Sequence, residues 1–267
     1  MAAFFLTLPI QIVLNAMRET MWYLKHCELF LQLSPDELNQ LEARSRFRTY
    51  PARTPIYLPG EKATSVFLVA EGMVKISNIT ADGKESILAF IEQGELFGEL
   101  ALLDVEQRDE FVGTVERTIV VMIPTVELQK ILAERADVTL GITKLVGVRR
   151  QRIERRLKNV LFQSVRDRLI HLLLDLGEQF GQETSEGVQL RLKLSHQDLG
   201  NLIGATRETV TSLLGQLRTE GSIEYRRCNV VLKKVARLAK AVQRFPKEQL
   251  VRDKRDSAPS RVLLLSE

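Results

Sequence analysis

At 267 residues, with 45% apolar and 27% charged side chains and no low-complexity tract, the chain can build two modest cores and lacks the composition of a disordered protein. Its net charge of +4 conceals an asymmetry: residues 1–140 carry 13 Lys/Arg against 20 Asp/Glu, whereas residues 141–267 carry 25 against 14. An acidic front half joined to a basic back half points to a polyanionic partner for the back half alone. Cys27 and Cys228 stand far apart and neither belongs to a CxxC, which excludes a disulfide scaffold, a zinc ribbon and a four-cysteine iron–sulfur centre. The expectation is two buried, reduced thiols in a cytoplasmic protein.

The opening stretch Met1–Ala16 is apolar, has no basic start and is too short to span a bilayer; no other segment is a transmembrane candidate. Met17 and Met21 follow closely, so residues 1–21 read as an extension set by the choice of start codon. Residues 22–50 read as helical, with Ser34-Pro35-Asp36-Glu37 supplying an N-cap, an N1 proline and an acidic first turn. From Thr54 the apolar period becomes that of strands. Ile56–Leu58, Val66–Val69, Val74–Ile76, Ser86–Phe90 and Thr118–Ile123 are β-rich runs, punctuated by Pro59-Gly60, Glu71-Gly72, Asp82-Gly83 and Gln93-Gly94. Turn signals about every ten residues predict a small sandwich or barrel.

After Pro124 the helical period returns and persists to about Phe180. Ile142, Val146, Ile153, Leu157 and Val160 approximate a heptad stripe, with Arg149, Arg150, Arg152, Arg155 and Arg156 crowding the rest of that helix. Gly141 and Gly147 weaken it locally. A dimer seam and a helix packed on its own domain explain the stripe equally well. Leu169, Ile170, Leu172, Leu173 and Leu176 form the next apolar face, ended by Gly177 or Gly181, and Val188–Leu194 reads as a strand. Beyond about Arg244 the chain turns polar and charged and reads as a mobile tail.

Between them, Lys193–Leu217 carries the densest signal. Ser195, with Asp198 three residues on, makes a capping-box-like start, and Leu199, Leu202 and Ile203 supply that helix's apolar face. Gly204 permits a sharp turn and Thr206 can cap a second helix, in which Val210, Leu213, Leu214 and Leu217 share one side. At roughly 100° per residue, Glu208, Thr211, Ser212 and Gly215 cluster opposite, with Arg207 at the flank. Such a helix can lock down by its apolar face and turn its N-terminal residues to base edges, Arg toward guanine and Glu toward cytosine. A solvated helix start would also explain Arg207-Glu208. Against that stands a following β-wing, Ile223–Tyr225 and Val230–Leu232 about an Arg226-Arg227 turn, of the kind that lays basic residues along phosphates.

Leu-Ser-His-Gln-Asp-Leu-Gly and then Gly-Ala-Thr-Arg-Glu-Thr-Val-Thr-Ser-Leu-Leu resemble the winged helix-turn-helix of the CRP/FNR regulators. Tyr-Leu-Pro-Gly-Glu, Gly-Met-Val-Lys-Ile, Asp-Gly-Lys-Glu-Ser-Ile-Leu and Gly-Glu-Leu-Phe-Gly-Glu-Leu-Ala-Leu-Leu are similar to that family's cyclic-nucleotide-binding-type jelly roll, and the likeness covers about Leu29 to Leu238. The resemblance implies an α+β protein with an N-terminal β jelly-roll sensor (22–133), a long dimerisation helix (134–162), a C-terminal winged helix-turn-helix (163–242) and a flexible tail (243–267). It favours the dimer seam. It also implies a homodimer on an inverted-repeat operator in double-stranded DNA, with RNA polymerase as a further partner and no cofactor, metal or membrane. Arg207 and Glu208 match base-reading positions, and Ser195 and Gln197 match positions near the DNA backbone. Thr206, Thr211, Ser212, Arg226 and Arg227 complete the expected DNA-binding set. Ser212 stands where the cyclic-AMP-receptor branch has a second reading arginine, so its operator is not carried over.

In the ligand-binding branch a Gly-Glu pair holds the ribose and an Arg-Ser pair the cyclic phosphate. Here Gly98 and Glu99 match and Arg108 sits near the expected arginine after a one-residue shortening, but Asp109 replaces the serine and Glu110 follows, and two carboxylates beside a phosphate oppose binding. Cyclic AMP is therefore not expected to bind, while another small ligand and no ligand at all stay open; Arg108 could instead pair with Asp109 or Glu110. His26 beside Cys27 lacks companion ligands for haem or metal. The alternative to a DNA-binding regulator is a sensor module acting through a protein partner with a degenerate helix-turn-helix. Three histidines, no phosphate loop and no nucleophile elbow argue against an enzyme.

Overall fold

In the computed structural model, which describes residues 23–25, 27–103, 105–226 and 228–244, the Ser34 hydroxyl accepts the Glu37 amide while the Glu37 carboxylate accepts that of Ser34. This reciprocal cap starts α1 (Pro35–Arg44) and satisfies two helix-end donors. The helical reading of 22–50 fails beyond Arg44: Arg46–Tyr50 is strand β1, paired antiparallel with β8 (Thr118–Pro124). Phe47, Thr49 and Tyr50 are β-favouring residues, and an open sheet edge outbids helix propensity there. The extension 1–21, His26, Arg227 and residues 245–267 lie outside the described residues.

Strands β2 (Pro55–Tyr57), β3 (Ser65–Glu71), β4 (Met73–Ile79), β5 (Glu85–Glu92), β6 (Leu96–Phe97) and β7 (Phe111–Thr114) complete two four-stranded antiparallel sheets, ordered β1-β8-β3-β6 and β2-β7-β4-β5. Tyr57, Phe67, Val69, Val74, Ile91, Phe97, Val112 and Val120 fill one buried core with residues from both sheets. The other faces of β3 and β8 are equally apolar. Val66, Leu68, Ala70, Val121 and Ile123 pack in a second core with Leu38 and Leu41 of α1, Leu128 of α2 (Thr125–Glu134) and Val138 of α3 (Ala136–Phe162). A strand buried on both faces reads as a continuous apolar run rather than an alternating one, as both do. Gly72 turns β3 into β4 at φ +82°, and a Cβ there would sit 2.5 Å from the Arg117 carbonyl oxygen, so only glycine fits.

Helix α3 runs unbroken through Gly141 and Gly147. Gly141 leaves room for Leu29, whose Cδ2 would lie 2.5 Å from an added Cβ. Ile142, the first residue of the heptad stripe, packs against the second core with Leu145, as a helix packed on its own domain would have it. The apolar residues left exposed further along are Val148, Ile153, Leu157, Val160, Leu161 and Phe162, the last 77% accessible.

The described residues divide into two compact units between Arg155 and Arg156. The second is built on α4 (Val165–Phe180), which buries Leu169, Ile170, Leu172, Leu173, Leu174, Leu176 and Phe180 and ends at Gly181, with Gly177 inside it. A four-stranded sheet follows the order β11 (Ile223–Arg226), β12 (Asn229–Leu232), β10 (Gly187–Leu190), β9 (Gly181–Thr184). The strand expected over Val188–Leu194 stops at Leu190, and the pairing partner β9 and the closing helix α7 (Val235–Ala241) carried no sequence signal strong enough to place them.

Candidate nucleic-acid interface and sensor pocket

Two short helices, α5 (His196–Ile203) and α6 (Arg207–Thr219), form the helix-turn-helix. The Ser195 side chain accepts the Asp198 amide at 3.1 Å while the Asp198 carboxylate accepts the Ser195 amide at 2.9 Å, completing the capping box read from sequence. Ser195 Oγ also donates to that carboxylate, so its one proton is engaged in the cap. Gly204 ends α5 in the left-handed region, φ +67°. The turn is tight: a Cβ on Gly200 would lie 2.6 Å from the Ala205 carbonyl oxygen.

Thr206 caps α6 by accepting the Thr209 amide. Val210, Leu214 and Leu217 are fully buried and Leu213 partly so, which fixes the helix's rotation. Arg207, Glu208, Thr211, Ser212 and Gly215 are consequently exposed together. The Arg207 guanidinium has no ion-pair partner among the described residues. Glu208 is held ionised: its own backbone amide, the Thr206 hydroxyl and the neighbouring Arg207 lower its carboxyl below the usual range. Gln197 is exposed on α5 and donates to Asn201. On the wing, Arg226 is 83% exposed and donates to Glu224, which also accepts from Lys233 at 3.2 Å. These two cations, Lys233 first, hold the Glu224 carboxyl low. Glu224 was not anticipated, and nothing in the sequence marks a wing carboxylate as the holder of two cations.

In the first unit Gly98 and Arg108 come together and Glu99 turns elsewhere. Arg108 is 5% exposed; its Nη1 donates to the Gly98 carbonyl at 3.0 Å and its Nη2 to that of Ser65. The guanidinium lies 4.4 Å from the Tyr57 ring centre and 5.5 Å from that of Phe67, which in turn stacks on Phe97 at 5.0 Å. The alternative pairing of Arg108 with Asp109 or Glu110 is overturned. Asp109 is exposed, and Glu110 accepts the Tyr57 hydroxyl at 2.8 Å, raising that phenol's pKa further beyond what burial does. Glu99 pairs at 2.9 Å with Arg149 of α3, which also donates to the Leu96 carbonyl; both side chains are nearly buried, 11% and 12% exposed. Arg149 was one of five arginines crowding this helix, and only the fold singles it out.

Cys27 is buried, its thiol pushed up to about 11 by desolvation, whereas Cys228 is only half-buried beside the wing, so the expectation of two buried thiols holds for Cys27 alone. No described helix is long and apolar enough to cross a membrane.

Residues 47–135 match the family described as cyclic nucleotide-binding domain, and residues 167–241 match the Crp-like helix-turn-helix domain. The global nitrogen regulator of Synechococcus elongatus is 33% identical over 193 residues, 71% of this chain and 84% of that one. The cyclic AMP receptor protein of Thermus thermophilus is 29% identical, over 75% of this chain and 89% of that one. Among solved structures, the c-di-GMP responsive global regulator CLP of Xanthomonas campestris is 28% identical with a TM-score of 0.65, covering 74% of this chain and 99% of that one. A CooA mutant from Carboxydothermus hydrogenoformans, 24% identical at TM-score 0.66 over 75% of this chain and 88% of that one, shares the fold.

Proposed function

The chain belongs to the CRP/FNR family of DNA-binding transcription regulators, which are not enzymes, and on that premise we propose that it acts as a homodimer on an inverted-repeat operator, reading bases with Arg207 and Glu208. The observation that carries this reading is the outward row on α6. A helix clamped by Val210, Leu214 and Leu217 presents an unpaired guanidinium, a carboxylate held ionised, Thr211 and Ser212 on its free side. Ser195, Gln197 and Thr206 flank it on the DNA-backbone side, and Arg226 and Arg227 extend the contact along phosphates.

The dimer seam runs along α3 through Val146, Ile153, Leu157 and Val160, spaced by seven, four and three residues. Val146 is half-buried and Ile153, Leu157 and Val160 are exposed, and apolar side chains at that spacing are expected to be covered by a second copy rather than by water. A two-fold dimer sets the half-sites about 10–10.5 base pairs apart, or multiples of that. The domain limits 22–133, 134–162 and 163–242 follow from the same assignment, as does action in the cytoplasm. RNA polymerase is the partner through which occupancy of the operator would reach transcription.

The relatives' names differ in signal: nitrogen for the Synechococcus protein, cyclic AMP for the Thermus one, c-di-GMP for CLP. For this chain we expect no response to cyclic AMP. Glu99 is committed to Arg149, and Arg108 to two carbonyls and two aromatic faces, so the nucleotide would have to compete with five contacts.

Selection of bound duplexes from a random pool tests the whole reading. Recovery of an inverted repeat, with sedimentation at the dimer mass, is the expected result. A monomer at micromolar concentration with and without DNA removes the dimer. No enriched sequence removes the regulator reading in favour of a sensor acting through a protein. Calorimetry showing tight stoichiometric cyclic AMP binding would overturn the effector assignment.

A further inference from the structure

His196, the first residue of α5, lies where three parts of the candidate interface meet. Its Nδ1 is 2.6 Å from Thr211 Oγ1 on α6, and its ring centre is 4.7 Å from that of Tyr225 on β11. Tyr225 in turn donates its hydroxyl to the Leu194 carbonyl just before α5. The Thr211 hydroxyl has one proton and two acceptors in reach, Nδ1 and the Arg207 carbonyl at 2.8 Å. With the proton on the carbonyl, Nδ1 donates to Thr211 and Nε2 of the neutral ring carries none; the opposite arrangement would put an orphan N–H at Nε2, and buried orphan N–H groups are rare. Nε2 is buried and has no hydrogen-bond partner among the described residues. A chain of two hydrogen bonds thus runs from the imidazole through Thr211 to the backbone of Arg207, while the ring's face rests on the wing.

We infer that His196 is a positioning residue for base reading: its neutral, Nδ1-protonated ring holds the first turn of α6 in register with the wing, and protonation at Nε2 releases that hold. Adding the second proton would place an N–H where no acceptor stands among the described residues, a buried donor left unmade. The charged groups around the ring do not help. Arg207 on α6 repels an imidazolium, Asp198 on α5 is engaged by Ser195, and on the wing side Tyr225 is a phenol pushed up to about 12, with Cys228 beside it. Burial and Arg207 accordingly lower the His196 pKa. This inference rests on α6 being the reading helix.

The experiment is a comparison of the full chain's affinity for its selected duplex and for a scrambled one, from about pH 8 to about pH 5. For the wild type the specific-to-scrambled ratio should fall severalfold toward acid, while scrambled-duplex affinity holds or rises. Asparagine can donate from the Nδ1 position and does not titrate, so His196→Asn should keep the wild-type ratio and lose its pH dependence. His196→Gln, whose amide reaches the Nε2 position instead, should lower the ratio at every pH. A wild-type ratio that is flat with pH, or a His196→Asn curve that follows the wild type, overturns the inference. So does a rise in affinity for both duplexes toward acid, which would make the imidazolium a phosphate contact. Long-range nitrogen–proton correlations on the free protein give a second readout, and finding the proton on Nε2 also overturns it. If no duplex is selected at all, the reading-helix premise fails, and the tautomer measurement still decides whether the anchor exists.

Discussion

The Glu99–Arg149 pair offers a quantitative test of how the first unit is held together. Two unit charges 2.9 Å apart attract by about 6 kcal/mol at an effective dielectric constant near 20, before desolvation is subtracted. Because both side chains are about nine-tenths buried, desolvation offsets most of that gain, and the intact pair contributes little. Breaking it is different. Arg149→Met strands the Glu99 carboxylate in a nearly dry site, and Glu99→Gln strands the guanidinium; each should destabilise by about 3 kcal/mol. The double variant leaves no unpaired charge and should lie within about 1 kcal/mol of the wild type, a coupling energy of several kcal/mol. Calorimetric unfolding of the full chain should show each single variant's transition lowered by roughly 6–12 °C and the double variant's restored. Two small, additive effects would refute the reasoning, since they would mean that water already screens the pair.

Arg207→Ala should cost about 1–3 kcal/mol on the selected duplex and relax base preference at one position per half-site, whereas Arg226→Ala should weaken selected and scrambled duplexes alike and reduce the salt slope by about 1; salt titrations on both duplexes distinguish them, and reversed outcomes would exchange reading helix and wing. Gly200→Ala should destabilise the second unit by about 1–3 kcal/mol, because its Cβ would meet the Ala205 carbonyl oxygen at 2.6 Å; an unchanged melting profile contradicts the tight turn. A thiol at about 11 is ionised to roughly one part in a thousand at pH 8, so native protein should take up one equivalent of iodoacetamide and urea-unfolded protein two. His196 titrates lower folded than unfolded, so the unfolded chain binds the extra proton more readily. Stability of the second unit should therefore be full above the ordinary histidine value of about 6.5 and decline as pH falls below it, and His196→Asn should remove that decline.

Local chemistry made parts of this molecule legible in its sequence. The Ser34 cap, the Ser195 capping box, the turn at Gly204 and the buried row Val210, Leu214, Leu217 depend on residues within one or two turns of one another, and the sequence shows them; that Glu37 closes a second box on Ser34 emerges only in the structure. What stayed hidden depends on distant partners. Arg46–Tyr50 becomes a strand only because β8, some 70 residues away, offers it an edge. Ile142, in the heptad stripe by spacing, packs on the second core beside Leu29, which approaches at Gly141 from more than a hundred residues away. Arg108 stands one residue short of the family's spacing, its carbonyl and aromatic neighbours come from Ser65, Tyr57 and Phe67, and no spacing rule would have sent Glu110 to Tyr57 in its place. Glu99's partner was visible only as one arginine among five.

Apolar burial on both faces of β3 has a consequence for how the first unit finds its fold. In a half-exposed strand, slipping the register by one residue throws the apolar set into water, and that penalty enforces the correct pairing. Here a slip would exchange Val66, Leu68 and Ala70 with Phe67 and Val69, one apolar set for another, and polarity would hardly register the error. Pairing must be enforced from the strand's end. The Gly72 turn, pressed to within a methyl's width of Arg117, is the point where β3 is pinned against the start of β8. Gly72, one residue without a side chain, thus fixes the register of β3 as well as its turn.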